Sequence, residues 1–240
     1  MLLPELTRIH DQFLSLSRIA RERFVDALGG KLLLHGRLDA SGVAVVVASS
    51  VAGGVSLYVD ADADRLRESL RAGFVDFVVA NLDEALRILK NEIRRTLPVS
   101  VGLAADPEPC IDAMIGRGLQ PDLLSATPQR QALIFLERGA LALPEHPTSD
   151  PATSLLEWTV ADDVARSMPR MARMAGESLD PARNDTRARR RWLEQAPRYL
   201  GRAFGSRQCL RMVESEAAAF LSRVHSEIPA AKITRPGGKR

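Results

Sequence analysis

The sequence predicts an α/β fold: a parallel sheet flanked by helices, preceded by an N-terminal helix and followed by a C-terminal helical extension. Three observations predict it. Short apolar runs alternate along the first half with segments of helical period, the order that builds βαβ units. A glycine pair, Gly53-Gly54, turns the chain into the apolar run Val55–Val59, which ends on Asp60. An acid there lies at the carboxyl edge, where open α/β sheets bind their ligands. The composition is that of a chain with a core to bury: 240 residues, 45% hydrophobic and 26% charged.

Taken in order, residues Glu5 to Leu28 read as one amphipathic helix. Leu6, Ile9, Phe13, Leu16, Ile19 and Phe24 recur at three- to five-residue steps, and Gly29-Gly30 stops it. Lys31–His35 is a short buried strand. Gly36 to Gly42 is the strand-to-helix loop that would cradle a phosphate in a Rossmann-like fold, with only two glycines and with Asp39 where an anion would sit. Val43 to Val51 reads as a small apolar helix and Val55–Val59 as the next strand. Helix Ala63–Arg71 and strand Gly73–Val79 follow. Asn81 caps a helix running to Arg95, with Glu84 three residues on. Leu97–Leu103 is a strand, Glu108–Arg117 a helix, and Gly118–Leu124 a turn into another strand. Gln131–Phe135 is read as a final strand, and Pro144 to Pro151 as a connection. Helices are expected at Asp162–Met174, Thr186–Gln195 and Cys209–Val224. The expected domains are 1–143, a helical extension at 144–231, and a basic disordered tail at 232–240.

The net charge of +3 is uneven. Residues 151–240 carry 17 Lys/Arg against 10 Asp/Glu, and residues 1–150 carry 16 against 20. The simplest reading is a solvated helical extension; nucleic acid is not an expected partner. Arg187, Arg189, Arg190 and Arg191 with Trp192 could grip phosphates, but a helix face with one buried tryptophan explains them more simply. No apolar run reaches the 18 residues of a membrane span, and the first residues lack the pattern of a signal peptide. A cytoplasmic setting without membrane attachment is therefore expected. Cys110 and Cys209 have no CxxC partner, and His10, His146 and His225 show no ligand spacing, so no metal is expected. His35 ends an apolar run and reads as a hydrogen-bonded core histidine rather than a catalytic base.

A resemblance to the central NAD-binding domain of urocanase (urocanate hydratase) is carried by several motifs in the same order. They are Gly30-Lys31-Leu32-Leu33-Leu34, Ala52-Gly53-Gly54-Val55-Ser56-Leu57, Asp62 with Arg65, Leu82-Asp83-Glu84-Ala85-Leu86, Ser100-Val101-Gly102-Leu103, and Arg117-Gly118 followed by Pro121-Asp122. It spans most of this chain and only the middle of a urocanase. The family uses tightly bound NAD+ as an electrophile that adds to the imidazole ring of urocanate. The resemblance implies three cofactor-binding residues: Gly42 in the pyrophosphate loop, Asp60 toward the adenosine ribose, and Arg65 toward the cofactor. It also implies a homodimer or a partner chain.

Other positions depart from the family. Ala40, Ser41 and Val43 stand where it has Gly, Met and Gly. Its Gln-Thr-Ser-Ala-His segment falls at Thr127-Pro128-Gln129-Arg130-Gln131, and its Asn-Ala pair is Asp106-Pro107. Its Asp-Tyr-Gly-Asn-Asn signature is Asp180-Pro181-Ala182-Arg183-Asn184, and its active-site cysteine falls at Phe204 or Gly205, away from Cys209. No catalytic residue is assigned. The expected function is a non-catalytic or divergent relative that binds NAD or a related nucleotide. Two alternatives stay open: a urocanate hydratase-type lyase of histidine degradation, and an anion or nucleic-acid binder using the basic C-terminal part.

Overall fold

The computed structural model describes residues 4–25, 27–228 and 231–235. They fall in two compact units, Met1–Pro147 and Thr148–Arg240.

The first unit opens with α1 (Leu6–Arg23), which buries Leu6, Ile9, Phe13 and Leu16. The helix stops short of the expected Leu28, and just beyond it Val25 adopts φ 53°, a left-handed conformation through which a helix cannot continue. Six strands then form one parallel sheet: β1 (Leu32–His35), β2 (Val55–Asp60), β3 (Phe77–Val79), β4 (Val99–Ala104), β5 (Leu123–Ser125) and β6 (Leu141–Ala142). Their spatial order is β3-β4-β2-β1-β5-β6. Between them run α2 (Ala40–Ala52), α3 (Ala63–Ala72), α4 (Leu82–Arg95), α5 (Pro107–Gly116) and α6 (Gln129–Glu137). This is the parallel, helix-flanked, Rossmann-like sheet that the alternating pattern predicts.

Strand alternation sorts the two faces. Leu32, Leu34, Val55, Leu57, Val59, Val101 and Leu103 join Ala85, Leu89, Ile111, Met114 and Phe135 in one core under α4, α5 and α6. The opposite face carries His35 beside Tyr58, and Tyr58 beside Gly102. There α3 packs so closely that a Cβ on Gly102 would meet Leu66 Cδ2 at 2.8 Å. Helix α2 covers the same face, its valines buried all round, which is why it reads as apolar without a polar stripe.

One expected strand is a helix. Gln131–Phe135 lies inside α6, started by Pro128 at its N-cap, and the edge strand is β6 further on. A run of four apolar residues is compatible with either state, and proline ahead of it favours a helix start.

In the second unit the expected helices are present as α7 (Val164–Glu177), α8 (Thr186–Tyr199) and α9 (Glu214–Glu227). Beside them stands a three-stranded antiparallel sheet that a purely helical reading omits: β7 (Ser154–Thr159), β8 (Arg207–Met212) and β9 (Lys232–Thr234), in order β8-β7-β9. The expected helix Cys209–Val224 is thus two elements. Cys209 to Met212 end β8, and α9 begins after Val213, whose amide is capped by Glu216 at 3.1 Å. The start of the expected disordered tail is a strand. Lys232–Thr234 pair with Thr159–Glu157 of β7, and Arg235 grips Glu214 through two bonds of 3.0 and 3.1 Å. Residues 236–240 lie outside the described residues.

Candidate functional site

At the carboxyl edge of the first unit's sheet, the β1–α2 loop and the start of α3 enclose a cleft of about 570 Å³, within the size range of small-molecule sites. Arg37 and Asp39 line it from the loop, and Asp62, Asp64, Arg65 and Glu68 from the N-cap and first turns of α3. Four carboxylates against two guanidiniums make the lining formally −2.

The charged groups of the cleft are held by one another. Asp39 is the N-cap of α2 and accepts from the Gly42 amide at 2.9 Å, while Arg37 pairs with it at 3.0 Å. Burial works against the Asp39 charge, but the Gly42 amide and the Arg37 guanidinium outweigh it and hold the carboxyl below its usual range. Asp62 caps α3 through the amides of Asp64 and Arg65, and the latter bond above all keeps its pKa low.

The three residues expected to hold a cofactor lie at this edge with different tasks. Arg65 lines the cleft, its guanidinium spanning Asp60 at 2.9 Å and Asp62 at 3.1 Å. Asp60 is buried behind it. One of its oxygens accepts from the Asp62 amide at 2.9 Å, the other from the Leu38 amide and Arg65 Nη1, each at 2.9 Å. The carboxylate therefore ties the two loops together. Gly42 also lies behind the cleft: a Cβ there would strike the Arg37 carbonyl and come within 2.7 Å of His35 Nε2. The glycine is demanded by the chain's own packing.

Two of these contacts engage groups that a dinucleotide would use. A pyrophosphate needs free amides at the helix N-terminus, and at α2 the Asp39 carboxylate already accepts the Gly42 amide. A ribose needs a free carboxylate at the end of β2, and both oxygens of Asp60 are engaged. At the junction of β1 and β5, a Cβ on Gly36 would strike the Ala126 carbonyl, so this glycine too is demanded by the packing of the chain. The signal for all this in the sequence is Asp39, a negative charge in the middle of the supposed phosphate loop.

The positions that depart from the urocanase pattern serve the fold. Gln131 is buried and donates to Asp112 at 3.2 Å. Asp106 caps α5 ahead of Pro107. In the second unit Arg183 pairs with Asp150 at 2.9 Å and Asp185 at 3.2 Å, and Phe204 and Cys209 are buried. The arginine cluster is split: Arg189 and Trp192 point inward, with Trp192 Nε1 donating to the Cys209 carbonyl at 2.7 Å, so that indole is no stacking surface. Among the described residues, no cluster of three or more His, Cys, Asp or Glu could hold a metal ion, and no helix is long and apolar enough to cross a membrane.

His35 is a core histidine, 1% exposed and stacked at a tilt 5.8 Å from Tyr58. Neither ring nitrogen has a hydrogen-bond partner among the described residues, unlike the bonded histidine expected. Burial lowers its pKa to about 4. The folded value lies below that of the unfolded chain, so the unfolded state takes up the proton first. The resulting cost is absent above about pH 6.5 and grows to about 3 kcal/mol as pH falls toward the folded value. Urea unfolding at about pH 7 and about pH 4.5 is expected to show this slope in the parent and a flatter one in His35→Leu. Equal slopes would assign the acid sensitivity to other groups.

A comparison with protein families places these features. The model of the urocanase Rossmann-like domain matches residues 9–133, which run from α1 through all but β6 of the parallel sheet and include the whole cleft. That match covers more than half of the sequence, and the chain belongs to the urocanase family.

Proposed function

We propose that this chain is a non-catalytic member of its family, a Rossmann-like module whose cleft takes a phosphate-free nucleoside in place of a dinucleotide. The observation that carries the proposal is the Asp39 carboxylate on the Gly42 amide: an internal anion holds the position a diphosphate would need. The rest of the cleft suits a neutral, ribose-bearing ligand. Asp39 and Asp62 are each close to half exposed and can accept from ribose hydroxyls. The planar Arg65 guanidinium, fastened on one side by Asp60 and Asp62, leaves its face to a base. The net negative lining disfavours added phosphates. Against a hydratase stand the replaced segment at Thr127–Gln131, now the start of α6, and the buried, non-matching Cys209.

Calorimetric titration with adenosine, AMP and NAD+ tests this reading. Adenosine is expected to bind most tightly and NAD+ most weakly, with urocanate absorbance unchanged when protein and NAD+ are mixed with it. Tighter binding of NAD+, or loss of urocanate absorbance, would overturn the proposal. Silence with every ligand would reduce the module to a structural one.

A further inference from the structure

A second concave site lies away from the cleft, on α4. Arg87, Lys90 and Arg94 sit at positions i, i+3 and i+7, so one face of the helix carries all three. Arg117, at the C-cap of α5, faces them across a groove of about 350 Å³. Asp83 is the one acid among the described lining residues, and it is engaged by Arg117. The Arg94 guanidinium is braced by the Lys90 carbonyl at 3.2 Å and by Asn91 Oδ1 at 2.9 Å. The lining is thus formally +3, in a unit whose cleft at the carboxyl edge of the sheet is negative.

The bland account explains part of this. A cation in the last turn of a helix meets the helix dipole favourably, which accounts for Arg94. Arg87 has Asp83 four residues and Glu84 three residues before it, but Lys90 stands four residues before Arg94, where like charges oppose helix formation. Arg117 arrives from another element, held by Asp83, and adds a fourth cation to the lining. A concave lining with several cations, three of them guanidiniums able to make charge-assisted hydrogen bonds, suits a bound anion.

We propose that this groove binds a compact, multiply charged phosphate anion, such as a chain of a few linked phosphates. The cations from Arg87 to Arg94 extend about 10 Å along the helix, longer than a single sulfate and shorter than a strand of nucleic acid. A polynucleotide track would also offer aromatic faces for stacking, and the described lining contains none.

Calorimetric titration of the full chain with inorganic tripolyphosphate tests the proposal. Saturable binding at one site is expected, weakening as salt rises because phosphate contacts release counterions. In the double variant Arg87→Glu/Lys90→Glu the affinity is expected to fall at least tenfold, and in Arg87→Gln/Lys90→Gln by less. Both side chains are exposed, so circular dichroism should stay at the parental value in both variants, and the melting temperature in the glutamine variant. Adenosine should not compete, which keeps this result separate from that of the negative cleft. Absence of saturable binding, equal binding by the double variants, equal affinity for sulfate, or tighter binding of an oligonucleotide of matched charge would each overturn the proposal.

Discussion

Glu216→Gln should destabilise the second unit by about 3–5 kcal/mol, a large fraction of the stability of any domain this size. Arg189 and Glu216 are 0% and 2% exposed at their side chains and face each other through two bonds, of 2.5 and 3.0 Å. Glutamine removes the negative charge and leaves a guanidinium buried, with Asp185 at 3.0 Å as its remaining anion. Glu216 also accepts from the amides of Asp180 at 2.9 Å and Val213 at 3.1 Å, so it joins the α7–α8 connection, α8 and the start of α9. The expected drop in melting temperature is on the order of 15–30 °C. It should appear in a transition separate from that of the parallel sheet, because two compact units need not unfold together.

The double variant Arg189→Met/Glu216→Leu discriminates between two explanations of that loss. A buried pair replaced by apolar groups of similar volume is often no less stable than the original. Here recovery should be incomplete, since the amides of Asp180 and Val213 lose their acceptor whichever apolar residue replaces the glutamate. Full recovery in urea unfolding would mean that those amides find water, and that only the unpaired charge matters.

The same pair shows what a linear sequence hides. Four arginines between 187 and 191 look alike on paper, and only the turn of α8 sends Arg189 inward while its neighbours face solvent. The parallel sheet was legible because its strands are apolar runs separated by helices with clear caps, such as Asn81 and Asp62. The antiparallel sheet of the second unit was not. Strand β7 alternates Leu156, Glu157, Trp158 over a few residues only, and β8 runs into α9 with Val213 alone between them. At the cleft the sequence located Asp60 and Arg65 at the carboxyl edge of the sheet, but matching single positions could not reveal that each is the other's partner. That required the fold to bring Leu38, 22 residues away, onto the same carboxylate.

Asp60→Ala is the second change expected to have a large effect, about 2–4 kcal/mol on the first unit together with loss of nucleoside binding. The magnitude follows from the three donors it strands. The Leu38 amide is buried and keeps the full desolvation penalty of an unmade hydrogen bond. The Asp62 amide is partly buried and regains some of its loss from water. Arg65 is 35% exposed, so its ion pair contributes little after solvent screening. Asp60→Asn keeps one acceptor oxygen and should cost less, and Arg65→Gln, which leaves both amide bonds intact, should cost under about 1 kcal/mol. The order Asp60→Ala, Asp60→Asn, Arg65→Gln in urea unfolding is therefore the expected result. Equal losses for Asp60→Ala and Arg65→Gln would mean that the ion pair, and not the two amides, holds the loops of the cleft.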